Sequence, residues 1–562
     1  MKNLIKLKKI SLFLSVFFLL TACEEDLSDM NVNPYGIDPA SANPNMLMPA
    51  VLAPSAQNYV DLGFNDLAGA MQHTQKNGWY DAHNYYNWTS RDWTGWYDLL
   101  RTNELMIQRG EELNYPFFVG VGSTMKAFIF GNITDLWGDA PYTNALQGQE
   151  GGAEFQYPSF DSQEIIYDGI INHLQQAAQI FASGSTEGLT GANDLYFSGD
   201  VNKWHRFANS LLLRYYMRIS EKKPDIAKAG IEAIFNSGIY IQNSAEDATL
   251  DYTGGANDVW ISRNTPGSTD DFQRYQASQP FIDQLMNSND PRLPVWFDSV
   301  RVQWVADPSL STAVENFIRA NGEPSGVLTY PYDDFVQVYD NVKFTRHFNP
   351  NLVTYNSDLY VGLPPGIPVP ESYNGNPSPG QGTQNQHISQ LAPIYSTPGS
   401  AGDILKARII SSAEVSFILA EAALKGWAVG DAEAHYYNGI KNSLEAWGKG
   451  EEYEAFIQGP EVVFDNTIER IMTQKWVASW TSACEAFLDY RRTGLPSFQV
   501  GPLSPQPVVA LRFRYGDDEY SNNISSLNGA IEDLEVTPYS GNLGPDSPWS
   551  KPWVVQGTGK PW

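Results

Sequence analysis

The sequence of 562 residues is poor in cysteine and in positive charge. It has two cysteines, Cys23 and Cys484, and 36 Lys and Arg residues against 64 Asp and Glu residues, giving a formal net charge of −28. If Cys23 carries lipid, Cys484 has no partner, so stability has to come from a buried hydrophobic core. The excess of negative charge repels nucleic acids and anionic polymers and favours neutral or cationic ligands.

Common catalytic motifs are absent as well. The seven histidines include no HExxH pattern, and no GxSxG sequence indicates a serine nucleophile. Residues 557–560 (GTGK) are similar to the end of a phosphate-binding loop, but Pro561 follows, and we interpret the match as chance. We therefore expect no enzyme activity, no cofactor and no metal site. A surface glycoside hydrolase stays open as an alternative, because 64 acidic residues always allow two carboxylates at the required separation.

The N-terminus has the parts of a lipoprotein export signal. A lysine-rich segment precedes the apolar residues 10–20 (ISLFLSVFFLL), which are too few to span a membrane as a helix. Small residues come just before Cys23, where acylation would add several membrane-binding chains. We predict a signal peptide over 1–22, lipidation of Cys23 and a polar tether over 23–45. The alternative is an ordinary secretory signal with a chance cysteine.

Residues 24–26 (EED) follow the cysteine directly. An acidic run here could serve only as a solvated part of the tether. It also resembles the export tag of Bacteroidetes-type lipoproteins, which implies the outer face of the outer membrane. No run after Cys23 is long and apolar enough for a transmembrane helix.

Residues 46–562 are predicted to form one mostly α domain. Apolar residues from Ile166 to Phe181 and from Phe207 to Ile219 recur at helical spacing. Ser411 and Glu414 match a capping box at the start of another helix. We expect tetratricopeptide-like helix pairs over 46–240 and 405–495. A long loop-rich insertion over 241–404 and an irregular C-terminal part over 496–562 complete the prediction.

Aromatic and amide residues are most concentrated between residues 77 and 96. Sugar recognition uses flat aromatic surfaces for ring faces and amide or carboxylate groups for hydroxyls. Trp93, Trp96 and Tyr97 have the spacing of a helix core, and we assign them there. The predicted ligand-binding residues from the preceding loop are Asn77, Trp79, Tyr80, Asp81, Asn84, Tyr85, Tyr86 and Trp88. A second candidate comprises Asn257 and Trp260, beside the glycine pair at 254–255, although a plain turn with a buried tryptophan is equally consistent.

Stretches spread over nearly the whole chain together resemble the SusD/RagB family of nutrient-binding outer-membrane lipoproteins, in its SusD-like branch. The matching stretches are 31–34 (NVNP), 46–52 (MLMPAVL), 135–142 (DLWGDAPY), 206–210 (RFANS), 290–293 (DPRL), 360–364 (YVGLP), 413–422 (AEVSFILAEA), 436–440 (YYNGI), 474–476 (QKW) and 489–494 (DYRRTG). We interpret these stretches as scaffold and not as ligand site.

The resemblance implies a SusD-like fold whose helix pairs pack against a partner and whose irregular face holds ligand. The implied partner is a TonB-dependent β-barrel transporter of the SusC/RagA type. The lipoprotein would act as its lid and deliver oligosaccharide or, as an alternative in a RagB-like member, peptide. No catalysis is implied. A pure adhesin would also suit a surface location, but it would not need the aromatic loop.

Overall fold

Helices dominate the part of the chain that the structure describes. This computed structural model describes residues 39–252, 274–320, 329–331, 344–376, 385–395 and 404–559. Cys23, Asn257 and Trp260 lie outside the described residues. The helices are α1 (Pro44–Phe64), α2 (Asp66–Ala70), α3 (Asp81–Tyr85), α4 (Thr94–Glu112), α5 (Pro116–Trp137), α6 (Ala153–Gln156), α7 (Gln163–Ala182), α8 (Val201–Arg218), α9 (Pro224–Ser237), α10 (Gln279–Asn287), α11 (Leu293–Trp296), α12 (Ser412–Leu424), α13 (Ala432–Ala446), α14 (Tyr453–Phe456), α15 (Ile468–Ala478), α16 (Ala483–Thr493), α17 (Asp517–Asn522) and α18 (Ile524–Glu532).

The strands of the described residues are short and fall into four small sheets. They are β1 (Thr74–Lys76), β2 (Ala140–Pro141), β3 (Phe160–Asp161), β4 (Ala248–Asp251), β5 (Tyr275–Ala277), β6 (Val302–Ala306), β7 (Phe317–Ala320), β8 (Thr329–Pro331), β9 (Phe344–Phe348) and β10 (Lys406–Ile410). One sheet has four strands in the order β6-β9-β7-β8, with β6 parallel to β9. The other three are the antiparallel pairs β1–β5, β2–β3 and β4–β10.

Successive helices pack as pairs, as the sequence predicts. In the N-terminal half α4 packs on α5, α5 on α7, α7 on α8 and α8 on α9, and in the C-terminal half α12 packs on α13 and α15. The side chains predicted to form the buried stripe of α7, from Ile166 to Phe181, are all buried. Ser162 caps this helix by accepting a hydrogen bond from the backbone N–H of Ile165. The prediction of a mostly α fold is confirmed.

Two irregular regions contain more regular structure than their composition predicts. Residues 241–404 include the four-stranded sheet and the helices α10 and α11, and residues 496–562 include α17 and α18. Trp304 of β6 is buried, and its ring stacks on His387 at 4.1 Å and on Tyr355 at 4.4 Å. These elements are three to nine residues long, and in such short windows helical or strand periodicity is hard to recognise.

Charged side chains with little exposure to solvent join the helix pairs, and all of those described here except Arg214 lie within the matching stretches 413–422 and 489–494. Arg214 of α8 donates to both carboxylate oxygens of Glu414 on α12, at 2.7 and 2.8 Å. The capping box is therefore only half formed: the Ser411 side chain accepts from the Glu414 backbone N–H, while the Glu414 carboxylate pairs with Arg214. Arg492 near the end of α16 pairs with Glu421 and Asp489. These residues are scaffold, as interpreted from the sequence for the stretches 413–422 and 489–494.

Cys484 lies in α16 and is buried with no disulfide partner. Burial raises the pKa of its thiol well above the usual value, which keeps the thiol protonated. It is therefore a small core residue. No helix among the described residues combines the length and apolar character that crossing a membrane requires.

Candidate ligand-binding surface

A short ladder sets the position of the aromatic loop. β1 pairs with β5 so that Lys76 lies opposite Tyr275. One residue beyond the ladder, the backbone N–H of Asn77 donates to the carbonyl of Arg274 at 3.0 Å. The chain then turns through Trp79, whose φ of +51° lies in the left-handed region that non-glycine residues seldom adopt. Such strain often marks a functional loop.

Four of the eight predicted residues in this loop are buried: Asn77, Asn84, Tyr86 and Trp88. The Asn84 amide binds both the N–H and the carbonyl of Lys76, at 2.8 and 2.7 Å. Trp88 donates from Nε1 to the carbonyl of Ala82 and packs on Phe513, with ring centroids 4.8 Å apart. These four side chains support the loop from below, and a ligand contact by any of them stays a prediction.

The other four, Trp79, Tyr80, Asp81 and Tyr85, reach the surface. Trp79 is 71% exposed, and Asp81 is exposed too. Tyr80 and Tyr85 are half-buried and meet edge to face, with ring centroids 5.3 Å apart. The loop therefore presents three aromatic side chains and one carboxylate to solvent.

Two distant loops complete this surface. The Tyr85 hydroxyl donates to the carbonyl of Ile367 at 3.1 Å, and Leu503 donates its N–H to the carbonyl of Gly366 at 3.2 Å. These contacts hold the segments that carry Val369 and Leu503 against the aromatic loop, and these two side chains are 53% and 45% exposed. We call Trp79, Tyr80, Tyr85, Val369 and Leu503 the aromatic loop surface.

The predicted loop-rich insertion over 241–404 includes residues 360–370 (YVGLPPGIPVP), but the sequence pattern does not connect this segment to the aromatic residues. The glycines of the two loops are the feature of the sequence that could have indicated this contact. Gly366 and Gly501 approach each other so closely that a Cβ on Gly501 would collide with the carbonyl oxygen of Pro365. Glycine is needed at such crossings of two backbones.

The electrostatic environment of Tyr85 keeps its hydroxyl protonated. Partial burial, and then the neighbouring Tyr80, Asp81 and Glu371, raise the pKa of Tyr85 well above its usual value. This hydroxyl is therefore a hydrogen-bond donor over the physiological pH range. Within the described ranges, no group of three or more His, Cys, Asp or Glu side chains is arranged to hold a metal ion.

Trp93 and Trp96 belong to the core, as their helical spacing predicts. Both are buried, and Trp93 donates from Nε1 to Glu519 at 3.0 Å. Tyr97 is partly buried and donates its hydroxyl hydrogen to the carbonyl of Pro141. These three rings anchor α4 and take no part in the aromatic loop surface.

An open, aromatic-lined loop surface on a scaffold of paired helices is typical of a helical ligand-binding protein. The comparison with protein families agrees. A family model described as starch-binding associating with the outer membrane matches residues 39–313 and 349–516. The chain belongs to this SusD-like family, whose members bind nutrients such as glycans and associate with the outer membrane.

Solved structures share the fold at low sequence identity. An outer-membrane protein from Bacteroides vulgatus with a proposed role in nutrient binding is 22% identical, with a TM-score of 0.69 over 92% of this chain and 100% of its own. A SusD homologue from Bacteroides fragilis is 22% identical, with a TM-score of 0.67 over 92% and 99%. A chitin-binding SusD homologue from Flavobacterium johnsoniae is 18% identical, with a TM-score of 0.63 over 90% and 98%. No curated protein sequence matches the chain.

Proposed function

We propose that this protein is a surface lipoprotein that binds oligosaccharide at the aromatic loop surface and delivers it to a TonB-dependent transporter. The exposure of Trp79 beside the Tyr80–Tyr85 pair carries the ligand assignment. A pyranose ring has an apolar face that stacks on aromatic side chains, and burial of that face is favourable. The Tyr85 hydroxyl oxygen, whose own hydrogen is donated to Ile367, and the Asp81 carboxylate can accept hydrogen bonds from ring hydroxyls.

A peptide is the second candidate ligand. Val369 and Leu503 add exposed aliphatic groups to the aromatic surface. Aliphatic and aromatic groups side by side suit the apolar side chains of an extended peptide. A RagB-like protein would use the same surface in the same delivery role.

The anchor and the partner are supported by sequence resemblance. The signal-like N-terminus ends at Cys23, and the acidic residues 24–26 resemble an outer-face export tag. Family membership supports association with the outer membrane. A transporter of the SusC/RagA type, with this protein as its lid, is the partner that the resemblance implies.

Glycan and peptide arrays followed by calorimetry test the ligand. The probes include maltoheptaose, chitohexaose and mixed oligopeptides, and the protein is the mature chain beginning after Cys23. We expect Trp79→Ala, Tyr80→Ala and Tyr85→Ala to weaken binding of the array hit. Tyr157→Ala, at a tyrosine that is 50% exposed elsewhere, is the matched control and should bind normally. Normal binding by all three loop variants would remove this surface from the proposal.

Two further assays separate the competing classes. Incubation of the protein with each polysaccharide should release no reducing ends, whereas turnover abolished by one carboxylate substitution would make it a hydrolase. Detergent extraction of the full-length protein should recover a TonB-dependent transporter with it. Extraction without any transporter would count against the lid role.

A further inference from the structure

Trp79 and Arg274 form a stacked pair at the edge of the aromatic loop surface. The guanidinium carbon of Arg274 lies 4.1 Å from the centroid of the Trp79 ring. This is within the range of a favourable cation–π contact. Trp79 remains 71% exposed, so the guanidinium covers one part of the indole while much of the ring faces solvent.

The backbone fixes both members of this pair. The β1–β5 register puts Lys76 opposite Tyr275, so Asn77 and Arg274 meet at the end of the ladder. A hydrogen bond of 3.0 Å from the Asn77 N–H to the Arg274 carbonyl holds the two chains together there. The stack is therefore attached directly to a hydrogen-bonded ladder.

The Arg274 side chain also uses the space that Gly78 leaves open. A Cβ at Gly78 would collide with Nη1 of Arg274. The guanidinium thus lies across the backbone of Gly78 and under the ring of Trp79. Because Trp79 has a φ of +51°, a conformation unfavourable for its own backbone, a tertiary contact is needed to hold it.

We propose that Arg274 is a positioning residue that holds the Trp79 ring outward, and that it makes the aromatic loop surface select neutral sugar rings over cationic ones. This inference rests on the proposed function. The positioning role follows from the cation–π stack, because the stack favours one orientation of the exposed Trp79 side chain, whose own backbone is strained. Preorganisation of this kind improves affinity, because less side-chain freedom is lost on binding.

The selectivity part follows from the electrostatics of the ring. The faces of an indole are negative and attract cations. Arg274 already places a positive charge behind one face. A cationic group approaching the opposite face meets that charge across the ring, with no bulk water between them. A neutral sugar ring meets no such repulsion.

The positioning part can be tested without any ligand. The full-length protein is labelled with 5-fluorotryptophan, and the ¹⁹F signal of Trp79 is assigned as the one missing from Trp79→Phe. In Arg274→Leu we expect this signal to shift and sharpen toward that of a free side chain. Arg274→Lys, which keeps a cation, should move it less. An unchanged signal in Arg274→Leu would overturn the positioning role.

The selectivity part is tested with two hexamers that differ in charge, chitohexaose and its fully deacetylated glucosamine counterpart. We expect Arg274→Leu to bind chitohexaose about tenfold more weakly, equivalent to about 1.4 kcal/mol. Its affinity for the cationic hexamer should fall much less. The ratio of the association constant for chitohexaose to that for the cationic hexamer should therefore decrease at least threefold. Arg274→Lys should preserve the ratio. Arg101→Leu, at an arginine exposed on α4, is the control for loss of one positive charge.

The outcomes distinguish this inference from the proposed function. Loss of binding in Trp79→Ala together with an unchanged hexamer ratio in Arg274→Leu would overturn the selectivity alone. Wild-type protein that binds neither hexamer overturns the selectivity, and if the wider arrays are also negative the proposed function fails with it. The ¹⁹F result decides the positioning role in every case.

Discussion

Glu485 of α16 accepts a hydrogen bond of 2.6 Å from Nη2 of Arg218 on α8, 267 residues earlier in the chain. The same carboxylate accepts a hydrogen bond of 3.1 Å from the Tyr59 hydroxyl on α1 and lies 3.5 Å from Nε of Arg214. Arg218 also lies 3.4 Å from Asp135 of α5. All five side chains are buried, so each charge depends on its partners for compensation.

Removal of the Glu485 charge should destabilise the fold strongly. Glu485→Gln leaves two buried arginines with less counter-charge, and we expect a loss of about 3–5 kcal/mol in the free energy of unfolding at pH 7. Urea denaturation followed by circular dichroism measures it. Glu111→Gln, at an exposed position on α4, is the control and should change stability by less than about 0.5 kcal/mol.

The same substitution should show a defined pH dependence. Burial alone would raise the pKa of Glu485, but Arg214 and Arg218 hold this pKa below its usual value. A carboxylate whose pKa is lower in the folded state than in the unfolded state stabilises the fold at pH values above its unfolded-state pKa, which is about 4.3 for Glu. This stabilisation is lost as the pH falls through the folded-state pKa. The deficit of Glu485→Gln should therefore shrink in acid. A deficit that grows on acidification would contradict the pairing.

Asp533, an exposed acidic residue beside the buried Asp139, should destabilise the folded state at alkaline pH. Burial, and then the neighbouring Asp533 carboxyl, raise the pKa of Asp139 to about 7, against a lowering contribution from the Gln163 N–H. A raised acid pKa stabilises the fold below about pH 4, and that stability is lost as the pH rises through 7. Asp533→Asn should therefore raise the free energy of unfolding by about 1 kcal/mol at pH 8 and leave it unchanged at pH 4. An equal gain at both pH values would be inconsistent with this origin.

Alanine substitutions of Trp79 and Trp88, which are nine residues apart, should affect different properties of the protein. Trp88 is buried against Phe487 and Phe513, so Trp88→Ala should cost about 3–5 kcal/mol of stability. Trp79 is mostly exposed, and Trp79→Ala should cost less than about 1 kcal/mol while weakening ligand binding. Thermal melting and calorimetry on the same two variants separate the two roles. A large loss of stability in Trp79→Ala would make it a core residue.

Cys484 should be unreactive until the protein unfolds. The thiol is buried and its pKa is raised, so very little thiolate is present or accessible at pH 8. Iodoacetamide should label the mature chain lacking Cys23 slowly in buffer and rapidly in 6 M guanidinium chloride. Fast labelling of the native protein would show that α16 opens locally.

Cys23 should determine where the protein resides and not whether it folds. Cys23→Ala should release the protein from the membrane fraction while its melting temperature and ligand affinity stay those of the wild type. Cell fractionation and palmitate labelling measure the difference. Membrane association that survives the substitution would argue against a lipid anchor at this residue.

Periodicity predicted the long helices well because their burial is local and regular. The stripe from Ile166 to Phe181 identifies the buried face of α7 without any tertiary information. The aromatic loop has no such period. Trp79 and Trp88 look alike in sequence, and their different burial depends on partners such as Phe487, about 400 residues further along. Val369 and Leu503 could not be assigned to the surface for the same reason.

The ion pair between Arg214 and Glu414 shows a second limit. The Ser411–Glu414 spacing correctly places the start of α12, since the Ser411 side chain accepts from the Glu414 N–H. Which partner the Glu414 carboxylate takes is decided by a helix 200 residues earlier. Local motifs predict local hydrogen bonds, and a distant guanidinium can still compete for the side chain.

The hydrogen bond between Tyr59 and Glu485 joins residues 426 positions apart. A core closed by such distant contacts has a high contact order and folds slowly, because a long loop must be ordered before the contact forms. Until α16 has been synthesised, Arg214 and Arg218 lack one of their counter-charges, and α1 lacks a packing partner. Closure of this core therefore waits until α16 is present, which suits the export across a membrane that we propose for this chain.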